Sequence, residues 1–165
     1  MTNINYGGIF IILTSIAIGM SLSILPLSLW SYGLNPAWLV LIAVFWLTYV
    51  PGHMGLFSFF SIGMMQDLLH NSLLGEHALA LLFVYGALQM MRHPLYTLSI
   101  WAQSVRMGGI VLIYQITVLL IQSSMIAPVA HAWVFLLSSI SSMIVWPWVL
   151  FVMRGVAVKC YRNTY

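Results

Sequence analysis

Charge is nearly absent from this sequence of 165 residues, of which only 4% are charged. Soluble domains carry roughly 25% charged residues, so five Lys and Arg with two acids are too few to cover a water-facing surface. Hydrophobic residues make up 62% of the chain, and the mean hydropathy is +1.04. These values predict an integral membrane protein rather than a soluble domain.

The scarcity of charge also limits function. Two acidic residues leave little for general acid–base catalysis. The chain also lacks a Gly-x-Ser-x-Gly elbow, a His-Glu-x-x-His pair and a Walker loop. The net charge of +3 comes from scattered side chains that form no basic patch for nucleic acid. We therefore expect neither an enzyme nor a nucleic-acid-binding protein, and we expect no cofactor.

Cysteine is equally rare, since Cys160 is the only one in the chain. It cannot form an intramolecular disulfide, so the cysteine content does not distinguish an oxidising from a reducing compartment. A metal site is not expected either. Residue types suitable for a transition metal do occur close together, but their spacing matches no known ligand pattern: Asp67, His70, Glu76 and His77.

Long apolar runs fill the chain, with proline-containing breaks at Asn35-Pro36, Pro51-Gly52, His93-Pro94 and around Pro128. The runs do not alternate, which favours transmembrane helices over barrel strands. We predict an all-α membrane protein, a single domain over residues 1–165. Its six transmembrane helices are expected at about 8–30, 37–50, 54–74, 77–91, 101–123 and 131–153, in a bundle. The second is short for a core of roughly 30 Å, so neighbours are expected to shelter it or the bilayer to thin around it.

The basic residues all fall on one side of this six-span map. One lies in the fourth loop, one just inside the same end of the fifth span, and three in a basic tail after the sixth: Arg92, Arg106, Arg154, Lys159 and Arg162. Because Lys and Arg are enriched on the cytoplasmic side, both termini are predicted to be cytoplasmic. The tail itself is interpreted as a topology determinant, with contact to anionic lipid or a filament as the alternative.

Asp67 is the clearest ionisable residue inside a predicted span, and such residues are functional candidates by default. Gln66 is adjacent, and His70 lies one turn later on the same face. Gln115 and Gln122 share one face of the fifth span and are the expected depth-matched partners of Asp67. Three interpretations stay open: a polar clamp between helices, a ligand or lipid-headgroup pocket, and a proton relay through Asp67 and His70.

Small residues recur every four positions on two spans, as expected for closely packed helices. Such seams hold a bundle together or receive a partner helix, and internal packing is the simpler interpretation. The seam residues are Ser15, Gly19, Ser23, Ser138 and Ser142, and Gly63 on the third span is grouped with them.

Four stretches, spread over nearly the whole chain, carry a resemblance to a known family. They are Asn35-Pro36-Ala37-Trp38, Gly63-Met64-Met65-Gln66-Asp67 followed by Leu74-Gly75, Trp101 with Gln103, and Trp146-Pro147-Trp148 running to Arg154. The sequence resembles the rod shape-determining protein MreD family of rod-shaped Gram-negative bacteria. It departs from that family at Gln66, where the pattern is usually apolar.

The resemblance implies a non-enzymatic scaffold in the bacterial inner membrane that supports peptidoglycan synthesis during cell elongation. The implied direct partner is MreC, a single-span protein with a periplasmic domain. The implied wider assembly holds the MreB filament, the glycosyltransferase RodA and the transpeptidase PBP2, besides membrane lipids. The resemblance also implies a fold similar to the substrate-binding component of energy-coupling-factor transporters.

Two rival functions stay open at this point. One is a transporter component that binds a small molecule or lipid, for which the convergent polar groups are Gln66, Asp67, His70, Gln115 and Gln122. The other is a subunit of an unrelated membrane complex, which composition fits equally well. The family resemblance disfavours this last alternative.

Overall fold

A computed structural model of the chain describes residues 6–24, 35–49, 54–91, 97–125 and 133–162. The described residues form six α-helices and no strand, which confirms the all-helical prediction. The helices are α1 (Tyr6–Ile24), α2 (Trp38–Tyr49), α3 (Leu56–His70), α4 (Glu76–Met90), α5 (Ile100–Met125) and α6 (Trp133–Arg162). Within α5 and α6, residues Ile100–Ser124 and Leu137–Val158 are long and apolar enough to cross a membrane.

Neighbouring helices along the chain pack antiparallel where their contacts are described. In each such pair, the residue number rises along one helix as the number of its partner falls. The contacts that fix the directions are Ser15–Trp46 and Gly19–Ile42 for α1 and α2, Phe59–Tyr85 and Gly63–Ala78 for α3 and α4, and Gly108–Met143 and Gln115–Ser138 for α5 and α6.

The second and last helices lie side by side and run parallel. The backbone N–H of Ala37 donates to Ser142 Oγ at 2.9 Å, and Arg154 Nη2 donates to the Tyr49 hydroxyl at 3.0 Å. Both pairs are separated by 105 residues, and this constant offset means that α2 and α6 point the same way. The same direction is expected for two helices separated by an odd number of alternating ones.

The centre of the molecule is α2. Every residue from Leu39 to Leu47 is buried, and Phe45 and Trp46 are completely so. Neighbouring helices therefore shelter this short helix, which was one of the two alternatives that its length predicted. Each of the other five helices exposes large apolar side chains, including Phe10, Phe57, Phe83, Trp101 and Phe151, all more than 60% exposed.

The sixth helix is longer than predicted. The span was expected to end at about Met153 with a basic tail beyond, whereas the helix α6 continues to Arg162 and has 30 residues, about 45 Å. Val156 and Ala157 pack on the core, which holds the segment beyond Met153 in helical form. The predicted end of the first helix at residues 25–30 lies outside the described residues.

Candidate functional site at the turn between α3 and α4

Asp67 lies in the last turn of α3 and bonds to the beginning of α4. Its Oδ2 accepts the backbone N–H of Gly75, and its Oδ1 accepts that of His77, both at 2.8 Å. Oδ1 also lies 2.9 Å from His77 Nδ1 and accepts the Ser72 hydroxyl at 3.2 Å. The first N–H groups of a helix lack intrahelical partners and carry partial positive charge. The Asp67 carboxylate therefore caps α4 from a different helix.

Local backbone geometry explains why the chain can reverse so sharply after Asp67. Asn71 and Gly75 have φ values of 49° and 100°, in the left-handed region that glycine and asparagine tolerate best. The backbone N–H groups of Asn71 and Ser72 both donate to the Asp67 carbonyl. Asp67 thus closes the end of α3 with its backbone and opens α4 with its side chain.

Gly63 brings α3 and α4 close enough for this capping. A Cβ atom on Gly63 would lie 2.3 Å from the Ala78 Cα and 2.7 Å from its backbone nitrogen. Only a residue without a side chain fits against the first turn of α4 at this position. Gly63 lies one turn before Asp67 on the same face of α3, so the close contact and the cap act on the same part of α4.

Glu76, the other acidic residue, is bonded to α5. Its side chain is 2% exposed, and its Oε1 accepts Gln122 Nε2 at 2.6 Å. The expectation that Gln122 pairs with Asp67 is therefore corrected. Asp67 lies next to the chain reversal, so the unpaired N–H groups of α4 are nearer to its carboxylate than α5 is. The acid that bonds to Gln122 of α5 is instead Glu76, which is buried in the first turn of α4.

Gln115 also bonds elsewhere than to Asp67. Its Nε2 donates to Ser138 Oγ at 2.7 Å, and Ser138 Oγ donates to the Asn35 carbonyl at 2.6 Å. Ser142, one turn further along α6, accepts the N–H of Ala37. These bonds join α5 and α6 to the segment that opens α2.

The side chains of His70 and Gln66 lie beside the Asp67 cap without bonding to its carboxylate. The His70 ring packs on the His77 ring with 5.4 Å between centroids, and its Nδ1 lies 3.0 Å from the Gln66 carbonyl. Gln66 is buried, and its Oε1 has no hydrogen-bond partner in the described part of the chain. Gln66, His70 and Gln115 line one cavity, whereas Asp67 and Gln122 do not line it.

The predicted seam residues contact other parts of the chain. Ser15 Oγ accepts the Trp46 indole N–H at 2.7 Å, and a Cβ on Gly19 would lie 2.8 Å from Ile42 Cδ1. Both residues therefore face α2. Ser23 Oγ donates to the Gly19 carbonyl within α1. Of the three seam residues on α1, Ser15 and Gly19 are therefore covered by α2.

The basic residues are described only in part. Arg154 Nη2 bonds to the Tyr49 hydroxyl, and its guanidinium carbon lies 5.7 Å from the centre of that ring. Arg106 is half-buried in α5. Arg92 and the side chains of Lys159 and Arg162 lie outside the described residues.

Two of the family-motif tryptophans have opposite environments. Trp146 is fully buried and Trp148 is exposed, with Pro147 between them inside α6. Of the other motif residues, Pro36 is buried at the approach to α2 and Trp38 is half-buried at its first position. Across the described segments, no group of three or more His, Cys, Asp or Glu side chains is placed to hold a metal ion.

Sequence reasoning missed Ser72 and His77 as partners of Asp67. A signal for them was present, because a helix was predicted to begin at about residue 77, directly after the third span, and helix starts need acceptors. It also missed the Trp46 bond to Ser15, for which no local pattern exists.

The fold and this turn define a helical protein with an apolar exterior, whose buried polar groups join one helix to another. Residues 1–156 match the family model described as rod shape-determining protein MreD. The chain is 31% identical over 150 residues to the Rod shape-determining protein MreD of Haemophilus influenzae, covering 91% of this chain and 92% of that one. The chain belongs to the MreD family, a membrane protein family of cell-shape determination. No solved structure matches it, and the expected similarity to transporter components stays a prediction.

Proposed function

We propose that this protein is a non-enzymatic scaffold of the cell-elongation machinery in the bacterial inner membrane. It binds MreC and, through it or directly, works with MreB, RodA and PBP2 to support the peptidoglycan synthesis that keeps cells rod-shaped. Membership of the MreD family supports the role in shape determination. The observation that favours a scaffold is the engagement of both acidic side chains, Asp67 and Glu76, in bonds that join helices.

The membrane arrangement that we propose has six spans with both termini in the cytoplasm. Large exposed apolar side chains on five of the six described helices support a lipid environment, since soluble proteins rarely expose contiguous apolar surface of this extent. Antiparallel packing of chain neighbours supports alternating spans. Arg154 lies beside the last residue of α2 and Arg106 lies in the first turns of α5, which supports a cytoplasmic location for that end of the bundle.

The scaffold acts through lateral contacts because the helices fill most of the described chain. A partner helix in the membrane meets only side chains that face outward, such as Trp101, Trp148 and Phe151, since α2 is enclosed. Aromatic side chains supply a large contact area. Helices in lipid are already out of water, so van der Waals packing against such side chains, not the hydrophobic effect, stabilises the contact with a partner helix. The basic residues near the end of α6 keep that end of the chain in the cytoplasm.

Co-purification tests the proposal directly. The full chain and MreC are expressed at native levels, extracted in mild detergent and separated by size. We expect one complex that survives extraction, and recovery of the two proteins as separate species would contradict the proposal. The variant Gly109→Ala, at an exposed position with no atom within 4 Å of the added Cβ, controls for handling and is expected to co-purify normally.

A further inference from the structure

A small polar cavity opens at the end of the molecule where α1 and α3 end and α2 begins. Its volume is about 150 Å³. Among the residues that the structure describes, no Asp, Glu, Lys or Arg lines it, and the polar side chains around it include Trp38, Gln66, His70, Tyr114, Gln115 and Ser138. The cavity is therefore suited to a polar group without charge.

Gln66 is the side chain that points to an occupant. It is 7% exposed, and its Oε1 has no hydrogen-bond partner among the described residues. Of the two polar atoms in its amide, Oε1 is the one found buried without a partner among the described residues. Buried polar atoms in proteins are almost always paired, with protein, water or ligand. A cavity beside an unpaired amide oxygen supplies room for the missing donor.

Trp38 adds the opposite requirement. Its indole Nε1–H is buried and has no acceptor in the part of the chain that the structure describes. The residues that line the cavity thus include one side chain that lacks a donor and one that lacks an acceptor, and Trp38 also borders an apolar cavity between α1 and α6. A hydroxyl group donates and accepts at once, whereas an ammonium group only donates and a carboxylate only accepts. A small molecule with several hydroxyls can donate to Gln66 Oε1 and accept from Trp38 Nε1–H at the same time.

The remaining polar side chains form a fixed frame around these two. Gln115 is held by Ser138, which in turn is held by the Asn35 carbonyl. The neighbour of Gln66, Asp67, is held by four bonds to the turn and to α4, which fixes the backbone that carries the Gln66 amide. Preformed geometry of this kind lowers the entropic cost of binding.

We propose that this cavity binds a neutral polyol group of the size of glycerol, with hydroxyls paired to Gln66 Oε1 and Trp38 Nε1. The volume is roughly ten times what a single water needs, so the cavity takes a group of several heavy atoms. The same chemistry is offered by the headgroup of a glycerol-bearing lipid and by a free polyol. The proposal is independent of the role in cell elongation.

Thermal unfolding of the purified full chain in detergent tests this binding. The probes are phosphatidylglycerol, phosphatidylethanolamine and free glycerol, each titrated into wild type, Gln66→Leu and Gln103→Leu. The last variant is the matched control, because Gln103 is also buried with an unpaired Oε1 but does not line the cavity. Trp38→Phe, which keeps a ring and removes the N–H, serves as a second cavity variant.

We expect phosphatidylglycerol or glycerol to raise the unfolding midpoint of wild type and Gln103→Leu, and Gln66→Leu to bind the active probe about tenfold more weakly. Trp38→Phe should weaken binding in the same direction. Activity of phosphatidylglycerol alone identifies a lipid headgroup, and activity of free glycerol identifies a soluble polyol. Equal midpoint shifts in wild type and both cavity variants, for every probe, would overturn the proposal.

Discussion

The Asp67 carboxylate and the backbone N–H of Gly75, eight residues apart, are joined by a hydrogen bond of 2.8 Å across the reversal between α3 and α4. The same carboxylate also accepts the N–H of His77. A single side chain thereby satisfies two groups that would otherwise be unpaired at a helix start. In lipid, where no water is available, unpaired backbone groups are especially costly.

Replacing Asp67 by alanine should destabilise the protein by about 1–3 kcal/mol, since two N–H groups at the start of α4 lose their acceptor. The measurement is the free energy of unfolding in detergent, together with cellular abundance and cell shape. Asp67→Asn retains one acceptor oxygen and should lose less. Normal rods with normal abundance in the Asp67→Ala strain would show that this cap is unnecessary.

Gly63→Ala should separate α3 from α4, because the new Cβ would overlap the Ala78 backbone. Overpacking against backbone that cannot move aside costs about 1–3 kcal/mol or more. The matched control is Gly109→Ala, where the Cβ meets nothing within 4 Å and helix propensity predicts a gain of up to about 1 kcal/mol. Thermal unfolding compares the two, and equal midpoints would argue against a close contact between α3 and α4.

Ser15→Ala should leave the Trp46 indole N–H buried without its acceptor. Such an orphaned donor costs about 1–3 kcal/mol. Ser21→Ala is the control, because Ser21 is exposed and bonds only to the Ala17 carbonyl of its own helix. We expect the first variant to unfold at a lower temperature and the second to match wild type. Similar midpoints for both would mean that the Ser15–Trp46 bond adds little.

The bond between Glu76 and Gln122 can be measured by a double-mutant cycle. Glu76→Ala and Gln122→Ala should each be destabilising, and the double variant should lose less than their sum, with a coupling of about 0.5–3 kcal/mol. Unfolding in denaturant measures all four proteins. Strict additivity would show that the two side chains do not stabilise one another.

Topology is tested by enzyme fusions. Alkaline phosphatase fused after Lys159 should be inactive and a cytoplasmic reporter at the same point active, because basic residues retain this end in the cytoplasm. A fusion in the turn near Gly75 should give the reverse result. An active phosphatase after Lys159 would contradict both cytoplasmic termini and an even number of spans.

The sequence alone selected Asp67 as a candidate, because an acid in a long apolar run is conspicuous whatever its partners are. The hydrogen-bond partners of Asp67 could not be predicted from the depth of each residue in the membrane. Depth pairs Asp67 with glutamines on α5, but capping depends on where the chain turns, and the turn depends on the positive φ values of Asn71 and Gly75. Those angles leave only a weak trace in residue type.

Helix number followed from hydropathy and length, which act over many residues at once, whereas the shelter of α2 was one of two alternatives that its length left open. The end of α6 did not follow, since Arg154 suggested a membrane boundary and boundaries of lipid and of helix need not coincide. The cavity beside Gln66 was only half visible. Gln66, His70 and Gln115 could be named from the sequence, but Trp38 lines the cavity only because α2 packs beside α1 and α6.

The position of α2 has a consequence for the order of assembly. Its 12 residues make a helix of about 18 Å, too short to cross a bilayer core of roughly 30 Å unaided. The polar contacts at both of its ends are with residues of α6 that are synthesised 105 residues later. The second helix to emerge from the ribosome can therefore pack on α1 at once, but its polar contacts with α6 form only when the last helix follows. Chains truncated before α6 should be recognised as incomplete and degraded, so that only finished proteins accumulate in the membrane.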